Sequence, residues 1–330
     1  MKQALILQQN RYTSQSMLSV FEVTLPVFAL VFCGYVAAAR RMLPDKAVEG
    51  INAFVFWFAL PAMLFRVVAQ RPIGELIDGR FTLGYLAASF ALFGLTAWLA
   101  RSGRLTGTVQ SMGQSAALSL NAAHGNVGYL GLPLVGEISA RALPTVALII
   151  ICDIFVVISL TIAILEWHTR RGAGGSIILK VAAGLVRSPL VFSLAAGLIF
   201  SMFAIPQPDV FDNFTRLLGA AAGPCALFAI GAALGGRKLE VDREIGGLVL
   251  LKLVLHPMLM AVSLLLVFKS DPYAAAVAVV FAALPSASNG FIVAQRYGMS
   301  THAISASIVS GTALAVVTVS FVIWAVGLRS

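Results

Sequence analysis

Residues 125–133 read GNVGYLGLP, which sets Gly125, Gly128, Gly131, Asn126 and Pro133 inside an otherwise apolar run. Glycine and proline weaken or break helices, so a membrane-spanning segment carrying this stretch must be interrupted there. Whether the chain spans membranes at all is decided by what surrounds the stretch. Of its 330 residues 59% are hydrophobic and only 11% are charged, against about 25% charged in an ordinary soluble domain. Apolar runs long enough to cross a hydrocarbon layer of about 30 Å recur from end to end. Ten spans are read at roughly 18–39, 50–69, 81–100, 112–135, 142–165, 188–205, 214–234, 245–268, 273–295 and 302–327, so GNVGYLGLP lies in the fourth.

The net charge of +9 comes from Lys and Arg dispersed singly or in pairs between the apolar runs, with no basic face that would bind nucleic acid. Their excess in the loops after the odd-numbered spans predicts that those loops are cytoplasmic and that both termini are periplasmic. Cys33, Cys152 and Cys225 fall inside apolar runs at unrelated spacings, which suggests neither a disulfide framework nor a metal site. Residues 1–17 lack the apolar core of a secretory signal and are read as a tail, with Met1 and Met17 both open as the start.

Sliding the chain on itself by 163 residues aligns Pro26 with Pro189, Gly34 with Gly197, Gly84 with Gly247, and ALPAMLF (59–65) with AGPCALF (222–228). Asn126 falls on Asn289 at the same offset. The chain therefore divides into a first five-span repeat over 18–165, a connecting and entry segment over 166–187, and a second repeat over 188–330. With five spans in each half, the second repeat must sit upside down relative to the first, as in many secondary transporters.

The fourth-span break has a counterpart in ALPSASNGFIVAQRYG (283–298) of the ninth span. Unwound backbone within a membrane is tolerated only where protein, water or a ligand satisfies its amides and carbonyls. Each break starts a half-helix whose N-terminal amides favour a carboxylate. Gly125, Gly128 and Gly290 let backbone approach a ligand, Ser288 shapes the second break, and Asn126 and Asn289 offer amide donors and acceptors. The competing reading of these small residues is tight helix packing, which an isolated GxxG would favour and the paired asparagines argue against.

NVGYLGLPL (126–134), ALPSASNGFIVAQRYG and LPAMLF (60–65), in this order over essentially the whole chain, resemble the auxin efflux carrier family, in particular its bacterial members, often described as malonate or malate permeases. The resemblance implies an all-α polytopic membrane protein of ten transmembrane helices, built as two inverted five-helix repeats whose broken helices 4 and 9 cross, similar to sodium/bile-acid symporters and sodium/proton antiporters. It also implies elevator-like transport of a carboxylate anion. Plant members carry proline where this chain has Gly125 and Gly290, and many have a long cytoplasmic loop that is absent here, which argues against auxin itself while leaving dicarboxylate (malonate- or malate-like) and aromatic monocarboxylate (auxin-like) substrates both open.

Ionisable residues within spans mark ion or substrate paths or pair inside the bundle. Asp153, about midway along the fifth span, and His124, beside the fourth-span break, are the candidates for coupling to H⁺ or Na⁺, with structural pairing as the alternative role for each. Arg66, Lys252 and His256 are read as snorkelling toward the interface, and Glu22 as reaching headgroups. Pro61 and Pro224 are matched kinks in spans 2 and 7, and Pro133 and Pro285 sit at the breaks. Spans 1, 2, 6 and 7 are expected to form a scaffold that carries a homodimer interface.

The sequence holds no HExxH, Walker-type or dinucleotide-binding pattern, and no cofactor is expected. GQSA (113–116) matches the Gly-x-Ser pattern of intramembrane serine proteases, but the pattern is common and ten spans with a repeat do not suit that fold. An anion channel or a transport-related sensor is the other alternative. The sequence reading is a secondary transporter of a small organic anion in a bacterial inner membrane.

Overall fold

The computed structural model describes residues 17–44, 46–71, 74, 78–138, 140–169, 189–235 and 242–328. The expected N-terminal tail and most of the 166–187 connection lie outside these residues. Regular structure among the described residues is helical, apart from one isolated bridge. The helices are α1 (Met17–Ala39), α2 (Ala47–Ala69), α3 (Gly79–Arg101), α4 (Met112–Ala123), α5 (127–138), α6 (Leu143–Thr169), α7 (Pro189–Met202), α8 (Asp209–Leu234), α9 (Arg243–Val267), α10 (Pro272–Ala283), α11 (Ser288–Arg296) and α12 (His302–Val326). Six of these, α2, α3, α6, α8, α9 and α12, are long and apolar enough to cross a membrane. Leu25–Ala39 within α1, α7 and α10 are shorter apolar helices.

Polar residues at the element starts fix where several helices begin. Asp78, Ser111, Asp242 and Asp271 each accept a hydrogen bond from the amide three residues on, capping α3, α4, α9 and α10. At the far end, Gly327 takes a left-handed conformation (φ 62°) that closes α12.

Two packing groups result. In one, α1 lies along the second half of α8 and the second half of α2 lies along α7. Glycines set the approach: a Cβ on Gly34 of α1 would stand 1.9 Å from the Phe228 carbonyl oxygen of α8, and one on Gly231 would stand 1.7 Å from that of Val31. An ion pair and hydrogen bond from Arg66 Nη1 to Asp212 Oδ1 tie α2 to α8, and Gln70 Nε2 donates to the same carboxylate at 2.8 Å. In the second group α3 packs on α4, α4 on α6, α9 on α10, α10 on α12, and α9 on α3.

The prolines act differently from simple kinks. Five-residue π-helical turns at Val55–Ala59, Val127–Gly131 and Leu251–Leu255 each end two residues before a proline, Pro61, Pro133 and Pro257. A proline ring clashes with the carbonyl four residues back, and the wider turn makes room for it without breaking the helix. Pro61 and Pro133 are thus absorbed into continuous helices. Pro224 follows a junction at Ala221, where α8 changes from Asp209–Ala220 to Ala222–Leu234.

Candidate functional site

The fourth predicted span is divided into α4 and α5 by His124–Asn126, and the ninth into α10 and α11 by Leu284–Ala287. The two gaps meet. Gly125 and Ser286 form an antiparallel bridge, flanked by Asn126 N donating to Pro285 O at 2.8 Å and Ala287 N donating to His124 O at 3.3 Å. Each break therefore satisfies backbone groups that the other has freed.

Asn126 turns the chain. Its φ of −77° and ψ of 62°, with Val127 N donating to Gly125 O at 2.8 Å, make an inverse γ-turn. Its side-chain Oδ1 then accepts from Tyr129 N at 3.3 Å and caps α5. At the second break Ala287 is the cap position and supplies no side-chain hydrogen bond, so α11 starts uncapped with Ser288 and Asn289 in its first turn. Asn126 thus corresponds in the bridge to Ala287, and Gly125 to Ser286, an offset of 161 residues. The 163-residue offset set Asn126 on Asn289, but the two asparagines hold different places. Asn289 lies inside its helix, with Nδ2 3.4 Å from His124 Nε2.

His124 joins a buried chain of polar groups. Its Nδ1 is 3.0 Å from Asp153 Oδ2, and Tyr85 Oη donates to Asp153 Oδ1 at 2.8 Å. Asp153 is 1% exposed, so these partners replace the water its carboxylate would otherwise need. The tautomer that fits has the proton on Nδ1, donated to Asp153, and leaves Nε2 to accept from Asn289. Tyr85 was missed by the sequence reading because a tyrosine in an apolar span carries no mark of a polar partner.

Lys252 and His256 also depart from expectation. Each is 1% exposed and enclosed by protein within α9. Lys252 Nζ donates to Ala282 O at 2.9 Å and to His256 Nδ1 at 2.8 Å. The signal was their four-residue spacing, which puts both on one helix face in the middle of a 25-residue span. Arg66, read as snorkelling, is instead paired with Asp212 as described.

The glycines separate by function. A Cβ on Gly125 would stand 3.0 Å from Phe281 O and 3.2 Å from Lys252 Nζ, so a side chain there would press on both neighbours. On Gly131 it would stand 2.7 Å from Phe281 Cε1 and Leu284 Cδ1. Gly128 and Gly290 have ordinary space around them, their nearest neighbours being Leu60 Cδ1 at 3.8 Å and Asn121 Cα at 3.5 Å.

Two cavities flank the crossing and share Asn126 and Ser288. One, of about 80 Å³, is lined by His124, Gly128, Asp153 and Asn289 together with Leu60 and Tyr129. The other, of about 170 Å³, lies against α8 and is walled by Ile230, Ala233, Phe291, Ser305, Val309 and Thr312. The arrangement combines helix N-termini, amide side chains and apolar walls, which suits a small anion with an organic body. A larger apolar cavity of about 530 Å³ between α9, α10 and α12 holds none of the predicted site residues.

A family model described as "Membrane transport protein" matches residues 19–323. The chain is 33% identical over 313 residues to a Rhizobium meliloti protein named "Putative malonate transporter", covering 92% of this chain and 95% of that one. It is 27% identical over 307 residues to the Escherichia coli K12 protein named "Uncharacterized transporter YfdV", covering 91% and 94%. It is also 23% identical over 320 residues to the mouse "Lysosomal cholesterol signaling protein", covering 91% of this chain but 36% of that longer protein.

Proposed function

The chain belongs to the auxin efflux carrier family of membrane transport proteins, and from that membership we propose that it is a secondary transporter of a small organic carboxylate, malonate or a close analogue. The observation that carries the reading is the meeting of two interrupted helices beside two cavities that share Asn126 and Ser288, the smaller of them also lined by Asn289. The malonate assignment draws on the name given to the Rhizobium relative.

Ten membrane segments in two inverted repeats are the architecture proposed, with α4–α5 and α10–α11 as the broken fourth and ninth. Reciprocal contacts support it. Gly34 abuts Phe228 and Gly197 abuts Phe65, while Gly84 abuts Phe268 and Gly247 abuts Leu105. Adding 163 to the glycine of one contact and subtracting 163 from its partner gives the other contact, as a twofold relation requires. The α1, α2, α7 and α8 group would be the fixed scaffold and dimer surface, and the remaining helices would carry the anion past it. Cytoplasmic placement of the basic loops puts both termini in the periplasm of a bacterial inner membrane.

Coupling follows from the hydrogen-bond order. With His124 neutral, its Nε2 occupies the Asn289 amide N–H. Protonation turns Nε2 into a donor, and the Asn289 amide rotates to present Oδ1 to it and Nδ2 to a carboxylate. Proton and anion then bind together.

Uptake of radiolabelled malonate, malate and an indole carboxylate into proteoliposomes, with imposed H⁺ and Na⁺ gradients, tests the proposal. The expected result is saturable uptake driven by a proton gradient and lost in Asn126→Ala and Asn289→Ala. Loss of the Asn126 cap costs only about 1 kcal/mol, so that variant should still fold. Undiminished uptake in both variants would remove the crossing as the site, and non-saturating flux would favour a channel.

A further inference from the structure

The coupling route above makes no use of Lys252, although it is the largest charged side chain buried among the described residues. Its position is specific. The ammonium donates to the carbonyl of Ala282 in the last turn of α10, where the helix presents its negative end at the crossing. It lies directly beneath Gly125, whose missing side chain leaves room for Nζ and for the Phe281 carbonyl. His256, one turn along α9, accepts its second hydrogen bond. Asp153 on α6 is near enough to act on it through charge. The ammonium is therefore held by a helix carboxyl end and an imidazole acceptor, with a carboxylate within reach of its charge, which is the environment a bound alkali cation would seek.

We propose that Lys252 is the resident cation of the crossing: its ammonium fills the place of a coupling metal ion, compensates Asp153 and the end of α10, and makes the carrier independent of Na⁺. The proposal rests on the crossing being the transport site, and it narrows the coupling ion to the proton. With Lys252 and Asp153 balancing one another, the empty core is neutral. One proton on His124 then offsets one carboxylate charge.

Thermal stability of the purified full-length protein tests this without a substrate, so its outcome is separable from failure of the malonate assignment. Melting is measured in NaCl, KCl and choline chloride at equal ionic strength. The wild type is expected to melt at the same temperature in all three. Lys252→Ala, which opens a cation-sized space against the Ala282 carbonyl, is expected to melt several degrees lower in choline and to recover selectively in NaCl. Selective stabilisation of the wild type by Na⁺ would overturn the proposal, as would a Lys252→Ala protein indifferent to the cation. Should Lys252→Ala not fold, Lys252→Gln keeps a donor for Ala282 and drops the charge. Its lowered melting temperature should be partly restored by adding Asp153→Asn, whereas strictly additive losses would overturn the charge compensation.

Discussion

At the scale of single residues the crossing separates glycines that the sequence presents alike. Gly125 faces a carbonyl and an ammonium at 3.0 and 3.2 Å, whereas Gly128 faces only Leu60 at 3.8 Å and lines the 80 Å³ cavity. Gly125→Ala is therefore expected to cost about 1–3 kcal/mol through overpacking. Gly128→Ala should leave stability unchanged or slightly raised, because alanine is the better helix former, while its methyl narrows the cavity and raises the KM for malonate. Melting curves with uptake kinetics on the two variants check this, and equal melting temperatures would contradict the assigned geometry. The breaks themselves, with Gly125, Asn126 and Ser288, were legible because glycine, asparagine and proline are conspicuous in an apolar run. The environment of Lys252 was not legible, because burial depends on which helix faces α9, and sequence does not state that. The equivalence of Asn126 and Asn289 misled for a related reason. Asn126 stands at the cap position of its half-helix and Asn289 inside its own, a difference that a gapless comparison cannot see.

Among elements, the contacts of α1 with α8 and of α2 with α7 depend on absent side chains. Gly34 and Gly197 fall on each other at the 163-residue offset, yet a Cβ would stand 1.9 Å from backbone at the first and 2.9 Å from the Val68 side chain at the second. Gly34→Ala should force α1 away from α8 and destabilise by about 3 kcal/mol, with Gly197→Ala costing less. Both lie outside the cavities, so the KM of the protein that remains folded should be unchanged. Thermal unfolding paired with uptake separates these effects, and a higher KM in Gly34→Ala would mean that the α1–α8 contact reaches the site. The helices were readable from apolar length, and the caps at Asp78, Ser111, Asp242 and Asp271 follow familiar chemistry. The π-turns before Pro61, Pro133 and Pro257 were not anticipated. A proline announces a local conflict, and only the neighbouring packing decides whether it is met by a kink or by a widened turn.

For the whole molecule, the 170 Å³ cavity has one wall on α8 and the other on α11 and α12. If the second group carries the anion past the first, these walls must slide during each cycle. Cysteines at Ala233 and Ile308, in a background without Cys33, Cys152 and Cys225, place a thiol on each wall. A reducible bifunctional cross-linker should block malonate uptake, and reductant should restore it. Full uptake by the cross-linked protein would exclude relative movement of the two groups. The main-chain pairing of Gly125 with Ser286 bears on how such a carrier diversifies. Its flanking hydrogen bonds run between backbone atoms and ask nothing of most neighbouring side chains. Ser288, Asn289, Phe291 and Val309 are thus open to replacement without unpicking the crossing, so natural drift or a designer can re-address the carrier to a different cargo while the crossing itself is inherited intact.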